Sequence, residues 1–301
     1  MRGAMKPNLS FWLICWLAVG SVSWCQPVQL PSQESRPLPQ LEEFLEHVKQ
    51  NLSGDRMLQS QYTFSRHETT QQIDPQGKVK SSSSKQWEVF PSVDPKLSYQ
   101  RLIEKDGVPI KPSQLESQDH KHREKVEKSK QLTPELVEKK RREAKQEEQR
   151  EIEELFRLFR FRMLDRDTVE GISTVVVSFE PRPSYRPALK SIRPLRKMQG
   201  QAWICEDDYQ VVKVEIETIE SLSLAWGVVA RLHKGARLRF MRRKVNDEVW
   251  LPAESHFLVS GRVLLIKKFR VEIRNRYSDY RKFTVEDSVN YLPDPTSPVP
   301  K

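Results

Sequence analysis

Between Leu38 and Phe283 the spacing of apolar residues changes repeatedly, and each change marks an element. In LPQLEEFLEHVKQNL (38–52), Leu41, Phe44, Leu45, Val48 and Leu52 recur at three- and four-residue steps, which predicts an amphipathic helix. QYTFSRHETTQQI and SSSSKQWEVF then read as strands joined by the turn DPQGK, and LSYQRLIEK runs to Asp106-Gly107 before VPI resumes. From Gln114 to Arg166 the pattern is charged and helical. Thr133 is an N-cap and Pro134 takes the first helical position, where its missing donor costs nothing. To Arg150 this helix is polar nearly all round, so it should project into solvent. From Ile152 it gains a face, with Leu155, Phe156, Phe159 and Met163 at helical spacing. The basic amphipathic end EELFRLFRFRML (153–164) is therefore expected to pack on the protein's own sheet, with a membrane surface as the other option.

GISTVVVSF (171–179) predicts a strand closed by PRPSYRP, and a basic, proline-bearing loop follows to Met198. Residues 200–283 read as an antiparallel meander with strands at AWIC, YQVVKVEIETI, WGVVARL, ARLRFMRRKV, EVWLPAESHFLVS and VLLIKKFRVEIRNRYSDYRKF. Val212, Val214 and Ile216 alternate with Lys213, Glu215 and Glu217, and Phe269, Val271 and Ile273 with Arg270, Glu272 and Arg274. One packed face and one wet face is the mark of an antiparallel sheet, so the fold class is α+β.

The N-terminus adds a compartment. Arg2 and Lys6 precede the apolar run Leu9 to Val19, and Gly20, Ser21 and Ser23 follow, the layout of an export signal over 1–25. Cleavage after Ser23 or Cys25 fits. Cys25 is a lipidation candidate, although Trp24 is a poor neighbour for it. Nothing later supplies a span of about 20 apolar residues. The expected layout is a flexible leader at 26–37, one domain at 38–283 with its helical insertion at 114–166, and a disordered proline-rich tail at 284–301. The product is exported, periplasmic or secreted. Beyond Cys25 only Cys205 remains, and a thiol inside WIC reads as a small buried hydrophobe.

Candidate chemistry is sparse. Ten glycines in 301 residues leave no glycine-rich phosphate loop, and HExxH, GxSxG and CxxC are absent. Glu206-Asp207-Asp208 lies between two strands, so it reads as a hairpin tip; catalytic carboxylate pairs and hard-metal ligands need wider spacing. His120-x-His122 sits in a charged run without the further ligands a structural zinc needs. No catalytic residue, metal or cofactor is expected. Charge says more: residues 157–283 carry 26 Lys+Arg against 15 Asp+Glu. Arg237, Arg239, Arg242, Arg243 and Lys244 cluster on one strand, and Lys267, Lys268, Arg270, Arg274 and Arg276 on another. Such a surplus attracts anionic headgroups, glycolipids or acidic polymers, or simply keeps a wet sheet face soluble. Export removes nucleic acid from consideration.

One block reads G-x-x-W-I-x-x-x-D-Y-x-x-V-K-x-E from Gly200, with WLP at 250–252 and Y-S-D-Y-R-K-F from Tyr277. Together with the exported start and first helix, it resembles uncharacterised secreted bacterial proteins of the lipoprotein-carrier-like (LolA, LolB and RseB) superfamily. The resemblance implies a curved antiparallel sheet, a half-open barrel, that wraps helices and can hold acyl chains in its concave face. It leads to an exported non-catalytic envelope protein that binds a lipid, lipoprotein or other amphiphile there. The expected lining is Trp203, Ile204, Val212, Val214, Ile216, Trp226, Phe240, Phe257, Phe269 and Val271. Arg237, Arg239, Arg242, Arg243, Lys267, Lys268 and Arg270 would form a basic rim. For most of the lining, plain hydrophobic core is the competing reading. The functional alternative is an envelope scaffold that uses the charged helix and basic sheet to contact a protein or polyanion.

Overall fold

A computed structural model of the chain describes residues 36–52, 56–131, 133–225, 229–263 and 267–283. The expected signal, most of the leader and the tail lie outside these residues, and so does Trp226. Helix α1 (Leu41–Asn51) and the short turn α2 (Arg56–Gln59) come first. They lead into β1 (Tyr62–Ile73), β2 (Val79–Phe90), β3 (Tyr99–Lys105) and β4 (Val108–Pro109). Helices α3 (Pro112–Lys130) and α4 (Pro134–Leu158) precede β5 (Phe159–Val169) and β6 (Ile172–Pro181). A 3-10 turn at Arg193–Lys197 introduces β7 (Met198–Cys205), β8 (Val211–Thr218), β9 (Leu222–Ala225) and β10 (Val229–Leu232). The chain then completes β11 (Arg237–Val245), β12 (Val249–Val263) and β13 (Lys267–Lys282).

All of these strands join one curved antiparallel sheet that does not close into a barrel. Its order is β4-β3-β2-β1-β13-β12-β11-β8-β7-β6-β5, with the β9–β10 hairpin attached to β12. Most pairings are between neighbours in sequence. Three are not: β10 with β12, β8 with β11, and β1 with β13, the last pairing from Tyr62 opposite Lys282 to Gln72 opposite Val271. The two ends of the sheet, β4 and β5, are consecutive strands bridged by α3 and α4.

The expected helix over 152–166 is only half right. It ends at Leu158, and Phe159–Val169 is the edge strand β5, paired with β6. Phe159, Phe161 and Met163 alternate with Arg160, Arg162 and Leu164, a two-residue period that the preceding 3.6-residue stripe conceals. The projection into solvent holds: residues 141–147 are exposed, whereas Ile152 and Leu158 are buried. Thr133 caps α4 by accepting from the Leu136 amide at 3.3 Å. Helix α3 is pinned to β3 by Asp119, which accepts from Tyr99 Oη at 2.6 Å and from Arg101 Nε at 3.0 Å. Beside it the Gln118 amide bonds both the N–H and the C=O of Leu102, at 3.0 and 3.1 Å.

The main core lies on one face of β5 to β8. Val175, Val177, Ile204, Val214 and Ile216 meet Phe44 and Val48 of α1, Leu158 of α4, and Ile192 and Leu195 of the basic loop. Each such side chain contributes about 1.5–3 kcal/mol when fully buried. The opposite face carries a smaller cluster of Val169, Val176, Trp203, Cys205, Val212 and Trp250.

Two strand glycines allow the sheet to pack. Gly200 sits directly opposite Phe179, and Gly261 opposite Phe269. A Cβ on Gly200 would collide with the Glu215 carbonyl oxygen and stand 2.8 Å from Phe179 Cζ, and one on Gly261 would collide with the Arg231 carbonyl oxygen and stand 2.8 Å from Phe269 Cζ. Gly261 therefore does not end its strand, contrary to the break expected after Ser260; β12 runs on to Val263. Gly200→Ala should cost about 1–3 kcal/mol by overpacking. Urea unfolding of the variant checks this, and trimming the ring in Gly200→Ala/Phe179→Leu should recover little of the loss, because the Glu215 backbone is the nearer obstacle.

Candidate functional site

Neighbouring residues on a strand point to opposite faces, which separates Trp203 from Ile204, and a bulge where β8 passes from Lys213 to Val211 turns Val212 away from Val214 and Ile216, so the expected lining cannot share one surface. Ile204, Val214 and Ile216 belong to the helix-covered core, whereas Trp203 and Val212 lie on the other face. There the Trp203 Nε1–H donates to Asp167 Oδ2 at 2.8 Å, and Lys213 Nζ stands 3.7 Å above its ring. Phe240 is buried opposite Val214. These six are packing residues. Phe257, Phe269 and Val271 remain half-buried, and the register brings them together: Leu238 faces Phe257, Phe257 faces Ile273, Val259 faces Val271, and Gly261 faces Phe269.

Val259, Ile273 and Leu232 complete this strip and were not in the expected lining. The two-residue period through Phe257, Val259 and Gly261 and through Phe269, Val271 and Ile273 was the available signal. Leu232 and Phe257 form its inner margin against the core. On the far side, β1 and β2 present Thr70 and Gln72, opposite Ser83 and Ser81. Among the described residues, α2 reaches β12 near Trp250, where Gln59 Nε2 donates to the Trp250 carbonyl at 3.2 Å.

The basic rim does not form around this strip. Arg237 and Arg239 alternate with Leu238 and Phe240, and Lys268 and Arg270 with Phe269 and Val271, so these cations project from the opposite face. Arg242 is buried, donating to Gln210 Oε1 and the Trp250 carbonyl at 3.0 Å each. Arg239 lies 3.9 Å from Glu215 and Arg243 3.5 Å from Glu170. The Lys267 side chain and all of Trp226 lie outside the described residues.

The acids of residues 206–208 tip the β7–β8 hairpin, as expected, and two of them are latches. Glu206 accepts from Arg166 Nη2 at 2.9 Å and from Ser173 Oγ at 3.1 Å. The Arg166 hydrogen bonds hold its carboxyl below the ordinary range against the upward push of burial. Asp208 accepts from Trp250 Nε1 at 2.8 Å and from Lys244 Nζ at 3.0 Å. Burial pushes its carboxyl up, but the Trp250 and Lys244 hydrogen bonds outweigh this and hold it low. Behind the hairpin, burial pushes the Cys205 thiol up, which suits a packing residue. His120 lies 3.9 Å from Glu124, whereas His122 stacks on Tyr99 with ring centroids 4.3 Å apart. Among the described residues no group of three or more His, Cys, Asp or Glu could hold a metal ion.

A depressed carboxylate stabilises the fold fully above its ordinary pKa, and loses that contribution as pH falls through its lower folded value. Asp208→Asn should therefore lower stability at neutral pH by about 1–3 kcal/mol. The difference from wild type should shrink as pH drops below the ordinary carboxylate range, which denaturant unfolding at stepped pH measures.

No protein-family model and no curated protein matches the sequence. Among solved structures, the chain is similar to an outer membrane lipoprotein-sorting protein domain from Vibrio parahaemolyticus, at 11% identity and a TM-score of 0.32, over 81% of this chain and 94% of that one. It is similar to a LolA superfamily protein from Nitrosomonas europaea at 10% identity and a TM-score of 0.32, covering 83% and 98% of the two chains. MucB of the Pseudomonas aeruginosa MucA/MucB complex aligns at 9% identity and a TM-score of 0.21, covering 81% and 99%.

Proposed function

We propose that the protein is an exported, non-catalytic binding protein of the cell envelope that seats an amphiphile on the strip of β12 and β13. The observation that carries this reading is the strip itself. Leu232, Phe257, Val259, Phe269, Val271 and Ile273 share the helix-bearing face and stay half-buried, and among the described residues only Leu232 and Phe257 of these six pack against the main core. From Phe257 to Gly261 the strip runs about 14 Å along the strand, and from β11 to β13 it is about 10 Å wide. An alkyl chain of a lipid or lipoprotein would lie along it, with gain proportional to the apolar area covered. The polar margin of Thr70, Gln72, Ser81 and Ser83 offers hydroxyl and amide groups to an uncharged or zwitterionic head.

The expected outcome is saturable uptake of a long-chain fluorescent fatty acid by delipidated protein, with a copurifying lipid visible by mass spectrometry of a solvent extract. Val271→Asp should weaken probe binding at least ~10-fold, about 1.4 kcal/mol, because an ionised group in the strip must be desolvated. Empty protein with no probe uptake sinks the reading.

The exposed stretch of α4 favours a second reading, an envelope scaffold that docks a protein partner through its charged helix. Replacing the charges of residues 141–147 with alanine separates the two. Probe uptake survives if the strip is the site, whereas a scaffold loses a copurifying envelope protein.

A further inference from the structure

On the face opposite the strip, the same strands carry an unusual line of charge. Arg231 of β10 lies directly opposite Arg262 of β12, and Arg262 directly opposite Lys268 of β13. All three are exposed, and none has a carboxylate partner among the described residues. Neighbouring strands are about 4.8 Å apart, so three like charges fall within roughly 10 Å. Like charges directly opposed across a ladder destabilise a sheet. Elsewhere on this face several cations are matched among the described residues, Arg274 with Glu272 at 2.5 Å, Arg276 with Glu254 at 3.9 Å, and Lys213 with Glu215 at 2.6 Å, although exposed Arg237 of β11 is not. The repulsion is concentrated where β10, β12 and β13 meet.

Beside this line, exposed Arg270 borders a depression of about 150 Å3, also lined by Gly235, Leu258, Val259 and Ser260. A water molecule takes about 30 Å3 of liquid, so the depression has room for a phosphate-sized group. The cations are spread over a sheet face and are not gathered around a cleft, which suits a surface of many phosphates. Chain chemistry points the same way. The residues joining Val263 to Lys267 are Leu264, Leu265 and Ile266, and those joining Ala225 to Val229 are Trp226, Gly227 and Val228. Those six contribute only their composition here: apolar sequence adjoining a cation line matches a bilayer better than a water-soluble acidic polymer.

We propose that the Arg231–Arg262–Lys268 line, with Arg270, docks the protein on an anionic phospholipid surface. The bound phosphates would neutralise the line and relieve its repulsion. This interaction uses the face opposite the amphiphile strip and does not depend on that strip being occupied.

Flotation of the full chain with vesicles tests it. Wild type should bind vesicles of phosphatidylglycerol and phosphatidylcholine, fail to bind pure phosphatidylcholine, and release as salt rises. Each cation near such a surface is worth ~5-fold, so Arg262→Gln/Lys268→Gln should bind ~25-fold more weakly. The same variant should unfold at a temperature no lower than wild type, since it loses a repulsion; the binding loss is then not a folding loss. Arg274→Gln/Arg276→Gln, which removes matched cations from the same face, should stay within ~2-fold of wild type. The proposal is overturned if the first variant binds like wild type, if both variants lose binding equally, or if soluble polyglutamate binds more tightly than the vesicles. Val271→Asp should still float with anionic vesicles, and Arg262→Gln/Lys268→Gln should still take up the fatty-acid probe, so either reading can fail without the other.

Discussion

A pleated backbone sends each side chain to the face its neighbour avoids, and nearly everything in this protein follows from that constraint. Along β13 it puts Phe269, Val271 and Ile273 on one side and Lys268, Arg270 and Arg274 on the other. The pairing of β13 with both β12 and β1 then carries the separation across strands. Greasy and charged surfaces are set back to back, a backbone's width apart. Neither can serve as the rim of the other, and each has to be understood with its own neighbours.

Coverage of the greasy side is uneven for reasons of length and connection. Helix α1, the end of α4 and the basic loop all fall on β5 to β8, where they bury the main core. Of the β11–β13 segment, Leu238 and Phe257 still reach this core whereas Val259, Phe269, Val271 and Ile273 do not, and α3 is held away at β3 by Asp119 and Gln118.

Much of this was legible in the sequence. The amphipathic first helix, the strands of β1 to β4, the projecting polar helix with its Thr133 cap, the alternation of β8 and β13, and the hairpin at residues 206–208 are all local patterns with local causes. Three things were not legible, and each has a physical reason. Phe159 and Met163, four residues apart, satisfy both a helical and a strand period over so short a run, and only the pairing with β6 decides for a strand. Gly261 lies just past the expected strand end at Ser260, yet it continues β12 with the Arg231 backbone and the Phe269 ring of neighbouring strands close over it. The partners of Asp208, Trp250 and Lys244, are 42 and 36 residues away, and no local rule anticipates them. The line of Arg231, Arg262 and Lys268 was hidden in the same way, since only strand register puts distant cations side by side.

Gln118 has a consequence of a different order. An outermost strand with free amides and carbonyls is a template onto which a second molecule can add its own strand, and repetition of that step grows fibrils. Because the Gln118 amide already occupies both groups of Leu102, a newcomer must first displace a side chain tethered to a long helix. One planar carboxamide thus imitates the next strand at the point on β3 that two-residue β4, paired only with Glu104 and Lys105, leaves uncovered.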